Sequence, residues 1–130
     1  MKVINSTKLY NAIYSGNIND VKLLISEGAD VNARDFWNRT PLHRAVLKGY
    51  IKIVEFLLSK DININTKDDN GETALYEAVS RGYIEIAKLL ISKGADVNMK
   101  NFTGLTLLQE ATWNNHIEII ELLKSHGATE

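Results

Sequence analysis

The chain has 130 residues, 45% hydrophobic and 24% charged, enough for one domain with a sizeable core and too apolar for a disordered chain. Lys+Arg number 15 against 16 Asp+Glu, a formal net charge of −1, so the overall balance draws the protein neither to nucleic acid nor to an anionic membrane. Cysteine is absent, which excludes disulfides, thiolate metal sites and a thiol nucleophile.

The opening MKVINSTKLY lacks the apolar stretch of a secretory signal, and no window reaches the length of a transmembrane helix. A cytoplasmic protein is expected, with the nucleus and delivery into a host cell left open. The Asn-x-Ser/Thr matches at Asn5, Asn38 and Asn101 read as accidents of an Asn- and Thr-rich sequence.

In chain order, residues 1–6 read as a lead-in and Thr7 as the start of a helix stopped by Gly16. A second helix runs through INDVKLLISE to Gly28, and a short polar loop follows. The next unit is the clearest. Thr40 can cap a helix, Pro41 sits at its first position and His43 lies within reach of the capped turn. Gly49 ends that helix, and Ile51 to Leu58 form a more apolar second one. Asp61 stands where other units have Gly, and the left-handed region is expected there. A third unit follows the Asn70-Gly71 turn, with helices TALYEAVSRG and IEIAKLLISKG. A fourth follows Thr103-Gly104, with Asn115 at the position of the inter-helix Gly.

The units repeat at a fixed interval of 33 residues: Thr7, Thr40, Thr73 and Thr106; Leu9, Leu42, Leu75 and Leu108; Ala12, Ala45, Ala78 and Ala111; Asn32, Asn65 and Asn98. Such a period fixes the architecture before any motif is read. Lys124 falls in the column of Ile25, Leu58 and Ile91, and Asp20 in that of Ile53, Ile86 and Ile119. These are the polar replacements expected on the outer faces of terminal repeats, and they point to a complete short array.

The interval, the Thr-Pro-Leu-His of residues 40–43, the Gly between helices and the Gly-Ala-Asp-Val-Asn of residues 28–32 and 94–98 resemble the ankyrin repeat. The other units read TKLY, TALY and TLLQ, and the first lacks the Gly-x-Thr turn. The resemblance implies an all-α solenoid of stacked helix-turn-helix units with protruding hairpin loops. Residues 1–130 would form a single domain, with repeats at approximately 1–33, 34–66, 67–99 and 100–130. It also implies a concave face, made of loop tips and first helices, that binds another protein.

Mapped onto that repeat, the variable columns nominate Tyr14, Arg34, Phe36, Trp37, Arg39, Leu47, Lys48, Lys67, Asp69, Asn70, Glu72, Arg81, Phe102, Leu105 and Trp113 as partner-binding residues. Ser15, Ser80, Thr103 and Asn114 fall in the same columns, and Arg44, Glu77 and Glu110 in an adjacent one. Solvent-facing Trp, Tyr and Arg are the residues that dominate interface energetics. The competing reading is packing: Phe36, Trp37 and Phe102 on neighbouring tips, Trp113 as a cap on the last helix. The charges read as a solvated rim with inter-repeat pairs such as Arg44 with Glu77, or as a site for a negative patch.

Catalytic motifs are not found. His43, His116 and His126 have neither zinc spacing nor cysteine partners, and there is no phosphate loop or nucleophile elbow. Asp68, Asn70, Gly71 and Glu77 imitate part of a calcium loop, but it begins with Thr66 instead of Asp. Asn32, Asn65 and Asn98 should bond the loop backbone. The expectation is a non-catalytic, monomeric protein-binding module with no cofactor and no metal: an adaptor, inhibitor or effector. A self-associating structural or spacer element is the alternative.

Overall fold

The structure, a computed structural model, describes residues 2–130. Eight helices follow one another in pairs: α1 (Lys2–Ser15) with α2 (Ile18–Ser26), α3 (Pro41–Lys48) with α4 (Ile51–Leu58), α5 (Ala74–Arg81) with α6 (Ile84–Ser92), and α7 (Leu107–Trp113) with α8 (Ile117–Ser125). The first helix of each pair packs on the first helix of the next, and the second on the second. The result is two parallel layers, with the core between and within them.

Three of the starts are set by threonine. Thr40, Thr73 and Thr106 have extended backbones, and each hydroxyl accepts the N–H three residues on, from His43, Tyr76 and Gln109. Each such cap is worth about 1 kcal/mol. Pro41 occupies the first helical position, where its missing N–H is no loss. Thr7 departs from this pattern. Helix α1 already begins at Lys2, so Thr7 lies inside the helix instead of starting it. No turn residue precedes it to force an extended backbone, and the residues upstream continue the helix.

The core follows the columns. Leu9, Leu42, Leu75 and Leu108, with Ala12, Ala45, Ala78 and Ala111, are all buried. Small alanines let neighbouring first helices approach, while Val21, Val54, Ala87 and Ile120 line the second layer. At the helix-to-helix turn, the ring of Tyr50 lies over Gly16, that of Tyr83 over Gly49 and that of His116 over Gly82. The fourth member of the glycine column is Asn115, in a left-handed backbone with φ 58. Asp20, exposed on α2, serves the turn by bonding with Asn17.

The exit loops are tied to the following pair by asparagine. Asn32 Nδ2 donates to the Asp61 carbonyl and Asn98 Nδ2 to the Gly127 carbonyl, while Asn65 Oδ1 accepts the Asp96 N–H. Asp61 does not adopt the left-handed conformation expected for it. Asn38 and Asn115 are the non-glycine residues with positive φ among those described. The chain turns tightly at Asp61 itself, Ile62 N–H bonding to the Lys60 carbonyl where Ala29 and Ala95 reach back to Leu24 and Leu90, and avoids the strain a side chain would meet in the left-handed region.

The loop tips are close-packed where a glycine meets an aromatic ring. Gly71 has φ +75, and a Cβ there would stand 2.7 Å from both the ring and the backbone nitrogen of Phe102. Gly104, in the same column with φ +86, has nothing within 4 Å. Both alanine variants carry the left-handed penalty of about 1–2 kcal/mol. Gly71→Ala adds overpacking, so its urea midpoint should correspond to a further loss of about 1–3 kcal/mol relative to Gly104→Ala.

Candidate protein-interaction surface

Each loop tip is closed by one side-chain oxygen. Asp35 Oδ1 accepts the N–H groups of Trp37 and Arg39; Asp68 Oδ1 accepts those of Asn70 and Glu72; Asn101 Oδ1 accepts those of Thr103 and Leu105. This repeated turn accounts for the calcium-loop imitation, because Asp68 is buried and engaged with backbone and with Arg39 at 3.6 Å. Successive tips are joined by one backbone bond each, Asp69 N–H to Trp37 O at 3.1 Å and Phe102 N–H to Asn70 O at 3.0 Å.

The bases of two loops are held from the preceding first helix. His43 Nδ1 accepts the Thr40 N–H, so Nε2 carries the proton and donates to the Glu72 carbonyl at 2.8 Å. Tyr10, one repeat earlier in the same column, puts its hydroxyl 2.6 Å from the Ala33 carbonyl and 2.9 Å from the Arg39 carbonyl. Tyr76 in that column turns to Glu110 at 2.8 Å instead. Burial raises the phenol pKa of Tyr10 and Tyr76 well above the usual range, with Asp35 and Glu110 respectively adding to it. His43 of the Thr-Pro-Leu-His unit and Tyr10 of the preceding unit therefore share a job, holding the carbonyls of Glu72 and Arg39, which occupy one column.

Above this frame lie the nominated residues. Phe36 is 90% exposed, Trp113 87%, Phe102 69% and Trp37 54%; Tyr14 is also exposed. Trp113 does not cap the last helix. Phe36 and Trp37 meet edge to face with centroids 5.9 Å apart, and Phe102 packs on the Gly71 tip while keeping most of its ring in solvent. Arg34, Lys48, Asp69, Asn70 and Arg81 are exposed; Arg39, Leu47, Lys67, Glu72 and Leu105 are half-buried. Asn38 Nδ2 holds the Asp69 carboxylate, and Glu77 holds Arg81 at 2.7 Å. Burial raises the Glu72 carboxyl pKa, and the neighbouring Asp68 and Glu77 charges add to the effect.

The residue that joins helix and loop on this face is Arg44, which the column analysis placed beside the nominated residues and not among them. It pairs with Asp35 at 2.8 Å, not with Glu77 as expected, because Glu77 is taken by Arg81 four residues on. Its Nη1 donates to the Tyr14 hydroxyl at 2.7 Å, and its guanidinium lies 5.1 Å from the Tyr14 ring and 5.5 Å from the Trp37 ring. Lys48 Nζ covers the other part of Tyr14 at 5.0 Å. The two aromatics thus stand as a braced pair. The available signal was confined to this unit, since Arg44 is the one basic residue of the column that also holds Glu77 and Glu110, and it shares its unit with Asp35.

The arrangement offers exposed rings on a stiff support and no converging nucleophile, base and oxyanion donors among the described residues. Depressions such as the one lined by Lys8, Asn11, Ser15, Asp20 and Leu23 lie on the flank of the first pair, away from the tips. No described helix is long and apolar enough to cross a membrane.

Stacked helix pairs with backbone-linked tips define a repeat solenoid. A family model described as "Ankyrin repeats (3 copies)" matches residues 2–68 and again 62–129. The chain therefore belongs to the ankyrin-repeat family, whose repeats are generally protein–protein interaction modules without catalytic function. A comparison with curated proteins gave no match.

Two measurements test the frame. Arg44→Met leaves the largely buried Asp35 carboxylate unpaired and should cost about 2 kcal/mol in chemical denaturation. Adding Asp35→Asn, which keeps the Oδ1 acceptor as Asn101 does, should recover part of that loss. For pH, burial lowers the His43 pKa below 6.5. The unfolded chain then takes up a proton as pH falls through 6.5 while the folded ring stays neutral, so stability is lost in that window. Glu72 acts oppositely and closer to 4.5, because its folded pKa is raised. The urea midpoint should fall between pH ~7.5 and ~6 in the parent and fall less in His43→Tyr.

Proposed function

We propose that this chain is a non-catalytic binding module that grips one partner protein through the concave face of loop tips and first helices. It works as a single domain, with units near 1–33, 34–66, 67–99 and 100–130, and as a monomer that serves as adaptor, inhibitor or effector. The observation that carries this reading is the set of large exposed aromatic rings, Phe36, Trp37 and Phe102 on hydrogen-bonded loop tips and Trp113 at the end of a first helix. Rings left in water on a rigid support release water and lose little conformational entropy on contact, which suits interface anchors. Tyr14, Leu47 and Leu105 extend the apolar centre. Arg34, Arg39, Lys48, Lys67, Asp69, Asn70, Glu72 and Arg81 supply the polar rim.

The test is affinity capture from the native source, with the captured protein's cross-links mapped onto the chain. Trp37→Ala and Trp113→Ala should each weaken the purified complex by about 2 kcal/mol, with thermal unfolding of the free protein little changed. Full binding by both variants would show that contact is made elsewhere. Sedimentation that changes with concentration would favour the self-associating alternative.

A further inference from the structure

Three basic residues occupy one column of the repeat: Arg34, Lys67 and Lys100. Their side chains are laid in a row. Arg34 Nη1 donates to the Lys67 carbonyl at 3.2 Å, and Lys67 Nζ donates to the Lys100 carbonyl at 2.9 Å. Arg34 and Lys67 therefore each point at the next member of the row and rest on a neutral acceptor, and Lys100, the last of the three, is exposed. Of the other basic residues of the face, Arg39, Arg44 and Arg81 are compensated by Asp68, Asp35 and Glu77, and Lys48 lies over the Tyr14 ring. No ion pair among the described residues includes Arg34, Lys67 or Lys100. The Asp69 carboxylate at the middle tip is held by Asn38.

Aromatic rings accompany the row. Phe36 and Trp37 project from the tip that follows Arg34, and Phe102 from the tip that follows Lys100, with Lys67 Nζ 5.6 Å from the Phe102 ring. The cations recur once per repeat, at roughly the 8–10 Å spacing of packed helices. A polyproline II segment rises about 3.1 Å per residue with three residues per turn, so every third side chain falls on one face about 9 Å apart. A β-strand does not match, since its residues i and i+3 point to opposite faces.

We propose that the Arg34–Lys67–Lys100 row receives an acidic, proline-rich segment of a partner protein in the polyproline II conformation, with a carboxylate at every third residue. The carboxylates meet the three cations, and the intervening prolines lie against Phe36, Trp37 and Phe102, as such segments do in aromatic-lined grooves. This specifies the partner chemistry and rests on the reading of the chain as a protein-binding module.

The test uses fluorescein-labelled synthetic peptides titrated with the full chain and read by fluorescence anisotropy. One carries four repeats of Glu-Pro-Pro. A second has the same composition with the glutamates in one block. A third replaces every glutamate by lysine. The first should bind, lose affinity as salt is raised, and bind at least about tenfold more tightly than the other two. Lys100→Glu changes an exposed side chain and should weaken binding about tenfold or more; the triple variant Arg34→Ala, Lys67→Ala, Lys100→Ala should abolish it. Circular dichroism of Lys100→Glu confirms that the fold is retained. No binding of the first peptide, equal binding of the block peptide, or binding indifferent to Lys100→Glu would each overturn the proposal. Those results leave the module reading standing if Trp37→Ala and Trp113→Ala still weaken the captured complex.

Discussion

A pair of helices eight or nine residues long has too little interior to hold itself together. Its apolar residues lie on two sides, and on each side only another pair can cover them. That constraint dictates the register, because every unit must present the same column to its neighbour for the layers to close. It explains why leucine and alanine recur in fixed columns and why all of them are buried. It also dictates where polar bonds go. The Asn32, Asn65 and Asn98 side chains, the His43 ring and the Tyr10 hydroxyl all satisfy backbone groups of the following unit. Burial draws the units together, and these bonds fix how they line up.

The binding face follows from the same frame. Because Asp35, Asp68 and Asn101 close their own tips, the turn does not dictate which side chains occupy the two positions after each of them. Phe36, Asp69 and Phe102 share one such position, and Trp37, Asn70 and Thr103 another. Variation there costs the fold little. Stiffness beneath the tips, supplied by Arg44 and the tip-to-tip backbone bonds, means that an exposed ring is held in place before a partner arrives.

Much of this was legible in the sequence, and for a physical reason. A strict 33-residue register leaves its imprint on every column, so helix pairs, caps and core could be read from spacing alone. What escaped was whatever depends on a choice between neighbours of similar distance. Arg44 could have met Glu77 or Asp35; the former already had Arg81 one helical turn away. Thr7 resembled the other capping threonines, but a cap needs a turn before it, and the first unit has none. Asp61 stood in a glycine column, and the backbone rerouted instead of accepting strain. The kinship of Tyr10 with His43 is invisible to residue similarity, since what they share is the reach of a ring-borne proton to one carbonyl.

The rings over the glycines have a directional meaning. Tyr50 covers Gly16, Tyr83 covers Gly49 and His116 covers Gly82, always from the later unit onto the earlier. As the chain leaves the ribosome, the first helix pair therefore emerges with its turn uncovered, and is sealed only when the next pair has been made. Each turn is thus completed by residues that lie about one repeat further along the chain.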